Sequence, residues 1–559
     1  MVNKVSPLTE LYIGRPRFRD SDLAYVAARD GIAAAWRAGF ERFGTGIASH
    51  VEGDFAVALH DASGRTFMAV DRFSIRTLCY RLSGDDLSFA ERCDELADAS
   101  AVPDPQAIFH YLYHHVIPAP RTIFADIFRL PAGHYAILDA GKLTVAPWWV
   151  PVFEERRRES LRGLRAEFRR LLREAVGRQI DGATIGCFLS GGTDSSTVAG
   201  ILGEVTRLPA KTFSIGFDAD GYDEMEYARI TARHFGTDHH EHYITPDELV
   251  RSIPTIATAY DQPFGNSSAL PAYYCAKMAK EAGVDRILAG DGGDELFGGN
   301  SRYAKQRLLA VYDVIPKWLR KAVLEPILLS GALLTTAPGI KKVVSYVDQA
   351  RVPMPDRLQM YNMLTRIGAG EILTAEFLRR VDAEAPLRDQ RAVYASCNAA
   401  SLVNRMLTYD WKYALADSDL PKVVVASSLA GLEVGFPLLD DQLVDFSLRL
   451  EPYLKLKGVR LRWFFKEALR GFLPEPTLAK KKHGFGLPFG FWMMKHARLR
   501  TVALDSLELL RESKIVRSAF LDRLTSEYLP RHPGYYGEMV WVLMMLAQWG
   551  ERSKRLLRY

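Results

Sequence analysis

The chain is 559 residues long, too long for one ordinary domain, and with 48% apolar residues it can bury large cores. Its 72 Lys and Arg against 67 Asp and Glu leave a formal charge of +5, with no long basic tract or interleaved aromatics, which excludes a nucleic-acid partner. Five scattered cysteines without a CxxC pairing exclude a disulfide framework and a zinc site and fit a reducing compartment. The N-terminus, MVNKVSPLTELYIGRPRF, has no apolar core of a signal peptide, so a cytoplasmic protein is expected.

Residues 1–150 read as a β-rich domain in which FAVALHD, TFMAVDR and HYAILDAGKLTVAPWW are strands joined by Asp, Gly and Ser turns. The charged stretch EERRRESLRGLRAEFRRLLREAV opens a helix after Val152, and this change of composition sets the start of a second domain, 151–559. From Thr184 to Glu295 strands and helices alternate: ATIGCFL, a helix, KTFSIGF, the helix around EMEYARITARHF, HEHYI, two further helical stretches, then VDRILAG. That order predicts an α/β fold with a doubly wound sheet whose ligands lie at the carboxyl ends of the strands. After Phe297 the chain reads as helical. The most apolar stretch, Ala322–Gly339, is broken by Glu325 and Pro326 and is shorter than the roughly 20 residues of a membrane span, so it reads as a buried helix with no membrane partner.

The stretch IGCFLSGGTDSSTVAGIL, Ile185–Leu202, places a Gly-rich loop between a buried strand and a helix. Two glycines let the backbone approach a ligand, and the free N–H groups at the helix start favour an anion, so a phosphate is the expected guest. No Gly-Lys-Ser/Thr follows, and the loop is not a Walker loop. A second strand end carries LAGDGGDELFGG, Leu288–Gly299. Alone it would be a solvated turn, but after the first loop it supplies carboxylates beside a phosphate site. Mg²⁺ takes one or two protein carboxylates plus phosphate oxygens, which makes Asp194 and Asp294 the candidate ligands.

The Ser190–Ser196 loop, TFSIGF at Thr212–Phe217, YDEMEYAR at Tyr222–Arg229, DQPFGNSSALPAY at Asp261–Tyr273, GDGGDELFGG at Gly290–Gly299, GLEVGFPLLD at Gly431–Asp440 and KKKHGFGLPFGFW at Lys480–Trp492 together resemble the synthetase domain of asparagine synthetase. The resemblance runs in order from near residue 150 almost to the C-terminus. It implies ATP and Mg²⁺ as cofactors. It also implies a reaction in which a carboxylate attacks the α-phosphate to give an acyl-adenylate and pyrophosphate, after which an amine displaces AMP. Matching positions make Leu189, Ile215, Ala289 and Gly290 contacts to ATP. Ser190, Gly191, Gly192, Thr193, Asp194, Ser195 and Ser196 become the pyrophosphate cradle, Asp194 and Asp294 metal ligands, and Asp291 and Lys482 catalytic residues. Lys482 matches a lysine that supports adenylate and amide formation, as a fixed cation near the α-phosphate does. At the position of Asp291 asparagine synthetases commonly carry Glu and the β-lactam-forming relatives Tyr, so an acid here points to an amidating enzyme.

The first 150 residues are similar to the class II glutaminase half of that family, an α+β sandwich, through VEGDFAVALHD, AVDRFSIRTLCY and LSFAERCDELAD. The family's nucleophile is a cysteine directly after the initiator Met. Here residue 2 is Val and the first cysteine is Cys79, so the expected nitrogen source is free ammonia or a substrate amine. Two departures bear on the acceptor: Gly435 stands where an arginine is common, and KVVVASS replaces the usual KxDRxSM at Lys422–Ser428. The reading is therefore an ATP-dependent amide ligase acting on a small-molecule carboxylate acceptor, with a homodimer as a compatible assembly. Its alternatives are a β-lactam synthetase-like or lasso-peptide cyclase-like enzyme using its substrate's own amine, and a nucleotide-binding scaffold, which would release no pyrophosphate.

Overall fold

The computed structural model describes residues 10–98, 101–156, 159–219, 221–326, 338–480 and 486–553. In the N-terminal part β1 (Leu11–Gly14), β2 (Phe55–His60), β3 (Thr66–Val70), β4 (His134–Asp139) and β5 (Lys142–Pro147) form an antiparallel sheet in that order. Alternation gives it two apolar faces. Phe55, Val57, Leu59 and Phe67 join Trp36 and Phe40 of the helices α1 (Ser21–Asp30) and α2 (Ile32–Phe43), whereas Ala56, Ala58, Met68 and Val70 pack on a three-stranded sheet through Tyr80, Leu87 and Phe89. The result is an α+β sandwich. The β-rich expectation misses the helical layer, although Ile32, Trp36, Phe40 and Phe43 recur at helical spacing in α2. Asp20 still caps α1 by accepting from the N–H groups of Asp22 and Leu23. A further helix, α3 (Pro105–His114), lies on the second half of the chain, with the Tyr111 hydroxyl donating to the Val542 carbonyl at 2.7 Å.

The charged stretch becomes helical later than expected. α4 spans Leu161–Gly177 from the cap Ser160. Upstream, the Glu154 N–H is taken by the Leu448 carbonyl, and the Glu155 carboxylate accepts from the N–H groups of Ala400 and Ser401, so these residues run as a strap rather than a helix. The second sheet is built from β6 (Ile185–Phe188), β7 (Lys211–Phe217), β8 (Asp238–Ile244), β9 (Arg286–Leu288) and β10 (Glu433–Gly435), all parallel, in the order β8-β7-β6-β9-β10. Between them run α5 (Thr193–Thr206), α6 (Met225–Phe235), α7 (Pro246–Ala259) and α8 (Ala269–Glu281). β10 was not expected; its three residues sit in a region that reads as helical. Because β7 and β9 lie on opposite sides of β6, a crevice opens at the carboxyl ends of β6 and β9.

Most of the remaining described chain is helical, with a short hairpin pairing Leu456–Lys457 and Arg460–Leu461. Of the apolar stretch Ala322–Gly339, residues 327–337 lie outside the described residues; Ala322 and Val323 before them are exposed rather than buried. Among the described residues no helix is long and apolar enough to cross a membrane.

Buried charge joins the two halves. Arg72 pairs with Asp441 at 2.8 Å and Asp445 at 2.6 Å and lies over the Trp149 ring, while the Gly53 N–H donates to Asp441 at 2.7 Å. Burial pushes the Asp441 carboxyl up to about 6, and Arg72 opposes the shift. Removing the cation strands a buried carboxylate. Arg72→Ala is expected to lower the unfolding free energy by about 3 kcal/mol, read from urea denaturation; a loss below about 0.5 kcal/mol would show the pair to be idle.

Candidate active site

β6 ends in Leu189, whose N–H donates to the Phe213 carbonyl, and the chain then turns through Ser190, Gly191 and Gly192 into α5. Gly191 has φ +65°, and a Cβ there would lie 2.3 Å from the Tyr227 carbonyl carbon, so the turn is pressed against the start of α6. Ser195 closes it: its hydroxyl accepts from the Ser190 N–H at 3.1 Å and lies 3.0 Å from the Ser190 hydroxyl. Thr193 and the first N–H groups of α5 remain directed at the crevice, as an anion site requires.

The second loop interlocks with the first. After β9, Gly292 takes φ +97° and α9 (Gly293–Phe297) begins. A Cβ on Gly290 would sit 2.8 Å from the Ser195 nitrogen, and one on Gly293 would sit 2.3 Å from Asp194 Oδ1. Only glycine lets these strand ends close up. Asp194 and Asp294 thereby converge on one guanidinium: Arg462 Nη1 pairs with Asp194 at 2.6 Å and Nη2 with Asp294. Arg462 stands at φ +50°, its N–H bonded to the Gly298 carbonyl, at the head of α11, Trp463–Ala468, where α10 denotes Leu420–Leu429. Burial raises the Asp194 carboxyl and Arg462 opposes this; nearby Lys466 is lowered by burial and by Arg462.

Both loops line one cavity of about 1400 Å³. Leu189, Ser190, Gly192, Thr193, Asp194, Ser195, Ile215, Gly290, Asp291 and Asp294 face it. Three expected contacts do not: Gly191 packs on α6, Ser196 is buried against Thr231 at 3.0 Å, and Ala289 is buried with its N–H on the Gly435 carbonyl. Lys482 lies outside the described residues. Its neighbour Lys480 donates to the Ser190 carbonyl at 3.1 Å and pairs with Glu224 at 3.0 Å, so the basic run starts at the cradle's lip.

A second acidic group lines the same cavity. Asp291 lies 3.6 Å from Lys422 of α10, which also pairs with Asp419 at 2.9 Å. Burial raises the Asp291 carboxyl and Lys422 pulls against it; the same carboxylates hold Lys422 above its ordinary value against burial. Glu538, on α12 (Pro533–Arg552), accepts from the Ser267 hydroxyl at 2.9 Å, and burial pushes its carboxyl up to about 7. Sequence reasoning missed Arg462, Asp419 and Glu538. None of them lies in the two strand-end loops that the sequence marks, and Lys422 stood out only as part of a departure.

No group of three or more His, Cys, Asp and Glu among the described residues could hold a metal by itself. Mg²⁺ does not need one. Two hard carboxylates that already converge on a single cation, beside a phosphate-shaped turn, fit an ion that completes its shell with phosphate oxygens.

The family model described as Asparagine synthase matches residues 167–551, and the Glutamine amidotransferase domain model matches residues 36–149. The chain is 27% identical to "Asparagine synthetase [glutamine-hydrolyzing] 1" of Bacillus subtilis, over 84% of this chain and 73% of that protein. It is also 27% identical to "Putative asparagine synthetase [glutamine-hydrolyzing]" of Mycobacterium bovis, over 84% and 72%. To "Putative asparagine synthetase [glutamine-hydrolyzing] 2" of Methanocaldococcus jannaschii it is 30% identical over 50% of this chain and 56% of that protein.

The turn geometry makes its own prediction. Gly191→Ala forces a side chain into the left-handed region and into the α6 backbone, and is expected to cost roughly 2 kcal/mol or more of stability. Urea denaturation of the variant checks it, and an unchanged midpoint would contradict the described turn.

Proposed function

Because the chain belongs to the asparagine synthase family, an enzyme family, we propose that it joins nitrogen to a small carboxylate by consuming ATP to AMP and pyrophosphate through an acyl-adenylate. The observation that carries this reading is that one cavity holds both the start of α5 with Arg462, suited to phosphates, and the carboxylates Asp291 and Asp419 with Lys422 between them.

In this reading the cradle Ser190–Ser195 holds the β- and γ-phosphates as one leaving group, and Arg462 offsets its charge. Asp194 and Asp294 would hold Mg²⁺, which when bound neutralises charge on the phosphates. Lys482, matched through the family motif, serves as a fixed cation at the α-phosphate. Asp291, raised by burial, accepts the proton that the attacking amine gives up as it displaces AMP.

Ammonia or a substrate amine supplies the nitrogen. All five cysteines of this chain are buried, and burial pushes the Cys93, Cys187 and Cys275 thiols up, the opposite of what a thioester-forming nucleophile needs. The N-terminal sandwich acts as a support for the ligase half. A second reading, a specialised ligase using its substrate's own amine, is favoured at Gly435, which leaves β10 without a side chain where the family commonly places arginine.

The test is product analysis with ATP, Mg²⁺ and a panel of carboxylates. AMP and pyrophosphate in equal amounts are expected, and ADP as the stoichiometric product would overturn the reading. Asp194→Asn and Asp294→Asn should each cut turnover by about 100-fold or more with the fold intact by circular dichroism; wild-type rates would remove the metal assignment. Lys482→Ala should lower kcat by about 100-fold with little change in the ATP KM, and a change in KM alone would contradict its role.

A further inference from the structure

Away from the cavity the chain folds two helical arms against each other. The first arm is the helix Ser301–Ala310, the single turn Val311–Val314 and, after Pro316, the short helical run Lys317–Leu324; the second is the helix Pro338–Ala350. Leu309, Tyr312 and Ile315 of the first pack with Tyr346, Val347 and Ala350 of the second. The Tyr346 hydroxyl also donates to the Leu308 carbonyl at 2.8 Å.

The other side of the first arm is apolar where water should meet polar groups. Leu308, Val311 and Val314 are 54%, 61% and 82% exposed, and Trp318 beyond them is 69% exposed. A spacing of three on helical backbone sets the first three side by side in a row. Single exposed apolar residues are ordinary, whereas a row of them marks a contact surface.

Charge decides what the row meets. Residues 301–351 carry nine Lys and Arg against three Asp and Glu, a formal +6, while the whole chain carries +5. All three acids are engaged: Asp313 pairs with Arg320 at 3.0 Å, Glu325 accepts from the Tyr312 hydroxyl at 3.0 Å, and Asp348 pairs with Arg351 at 2.7 Å. Lys321 and Lys342 are exposed and form no ion pair among the described residues. A second copy of the same surface would set like charge against like charge, which opposes self-association. A partner protein would need a pocket for each projecting side chain. A lipid headgroup layer needs none, since it admits projecting valine and tryptophan while its anionic groups meet the lysines. The sequence expectation of no membrane partner rests on the lack of a spanning segment, and a surface contact requires none.

We propose that the arm Leu308–Trp318 is a peripheral docking surface for an anionic lipid bilayer. The apolar row enters the headgroup layer, and Lys321 and Lys342 bind the negative charge of that layer. This stands independently of the ligase reading.

The experiment is flotation of the full chain with phosphatidylcholine vesicles, with and without about 30% phosphatidylserine. Partition onto the anionic vesicles is expected to be at least about tenfold stronger. Val314→Asp combined with Trp318→Asp should weaken it by about tenfold or more, and Lys321→Glu combined with Lys342→Glu by a similar factor. All four side chains are exposed, so circular dichroism and the melting temperature should stay as in the wild type. No flotation with anionic vesicles, or equal flotation with both kinds, would overturn the proposal. Flotation that needs Lys321 and Lys342 but is indifferent to Val314 and Trp318 would mean a purely ionic contact, such as an acidic protein or a nucleic acid makes, and would overturn it too. A lipid-free dimer in sedimentation that the Val314 and Trp318 substitutions dissociate would show that a second copy covers the row, with the same consequence.

Discussion

The structure turns on a shared guanidinium. Asp194 stands in the first turn of α5 and Asp294 in that of α9, and Arg462 lies between them and pairs with both. Such a triad adds little net stability by itself, but losing one member is costly, so it fixes register more than it supplies energy. It fixes the register of two loops that glycine alone permits to touch, since a side chain at Gly290 or Gly293 would collide with the first turn of α5. The starts of α5 and α9 are thus held against each other at one crevice, with their two carboxylates on a single guanidinium.

The cavity wall that carries Asn266 and Ser267 depends in turn on the N-terminal sandwich. Asp261 opens the segment that leads to Asn266, Ser267 and α8, and it is held from the other half of the chain: Arg129 pairs with it at 2.6 Å and the Cys93 N–H donates to it at 2.9 Å. The next residue, Gln262, accepts from the Ile123 N–H at 3.1 Å. The sandwich therefore contributes to the ligase half by holding that segment in place. The Cys93 thiol sits inside this joint, pushed well up by burial, and its part is to pack.

The parallel sheet and the two loops were legible in the sequence because their signals are local: short apolar runs that end in glycine and acid turns, with helical periodicity resuming at once. The residues that lie opposite those loops were not. Arg462 comes from a short helix 268 positions from Asp194 in sequence, and Glu538 from the C-terminal helix, 271 positions from Ser267. Nothing in VRLRWFFKEAL or GYYGEMVW distinguishes a site-lining charge from a solvated one, since only tertiary packing decides which face of a helix meets the cavity. The helical layer was legible too: in α2, Ile32, Trp36, Phe40 and Phe43 recur at helical spacing, a signal the β-rich reading of this half leaves unused. Gly191 and Ser196 were legible as loop members, but not as residues turned away from the cavity, because a motif records spacing and not orientation.

The central claim is that a carboxylate oxygen of the acceptor attacks the α-phosphorus of ATP in this cavity. The most direct measurement supplies a working acceptor with both carboxylate oxygens labelled as oxygen-18, and follows the label by mass spectrometry through one turnover with an amine. Attack at the α-phosphorus predicts one labelled oxygen in the phosphate of AMP and none in pyrophosphate. Label in inorganic phosphate, with AMP unlabelled, would mean an acyl phosphate and would contradict the account.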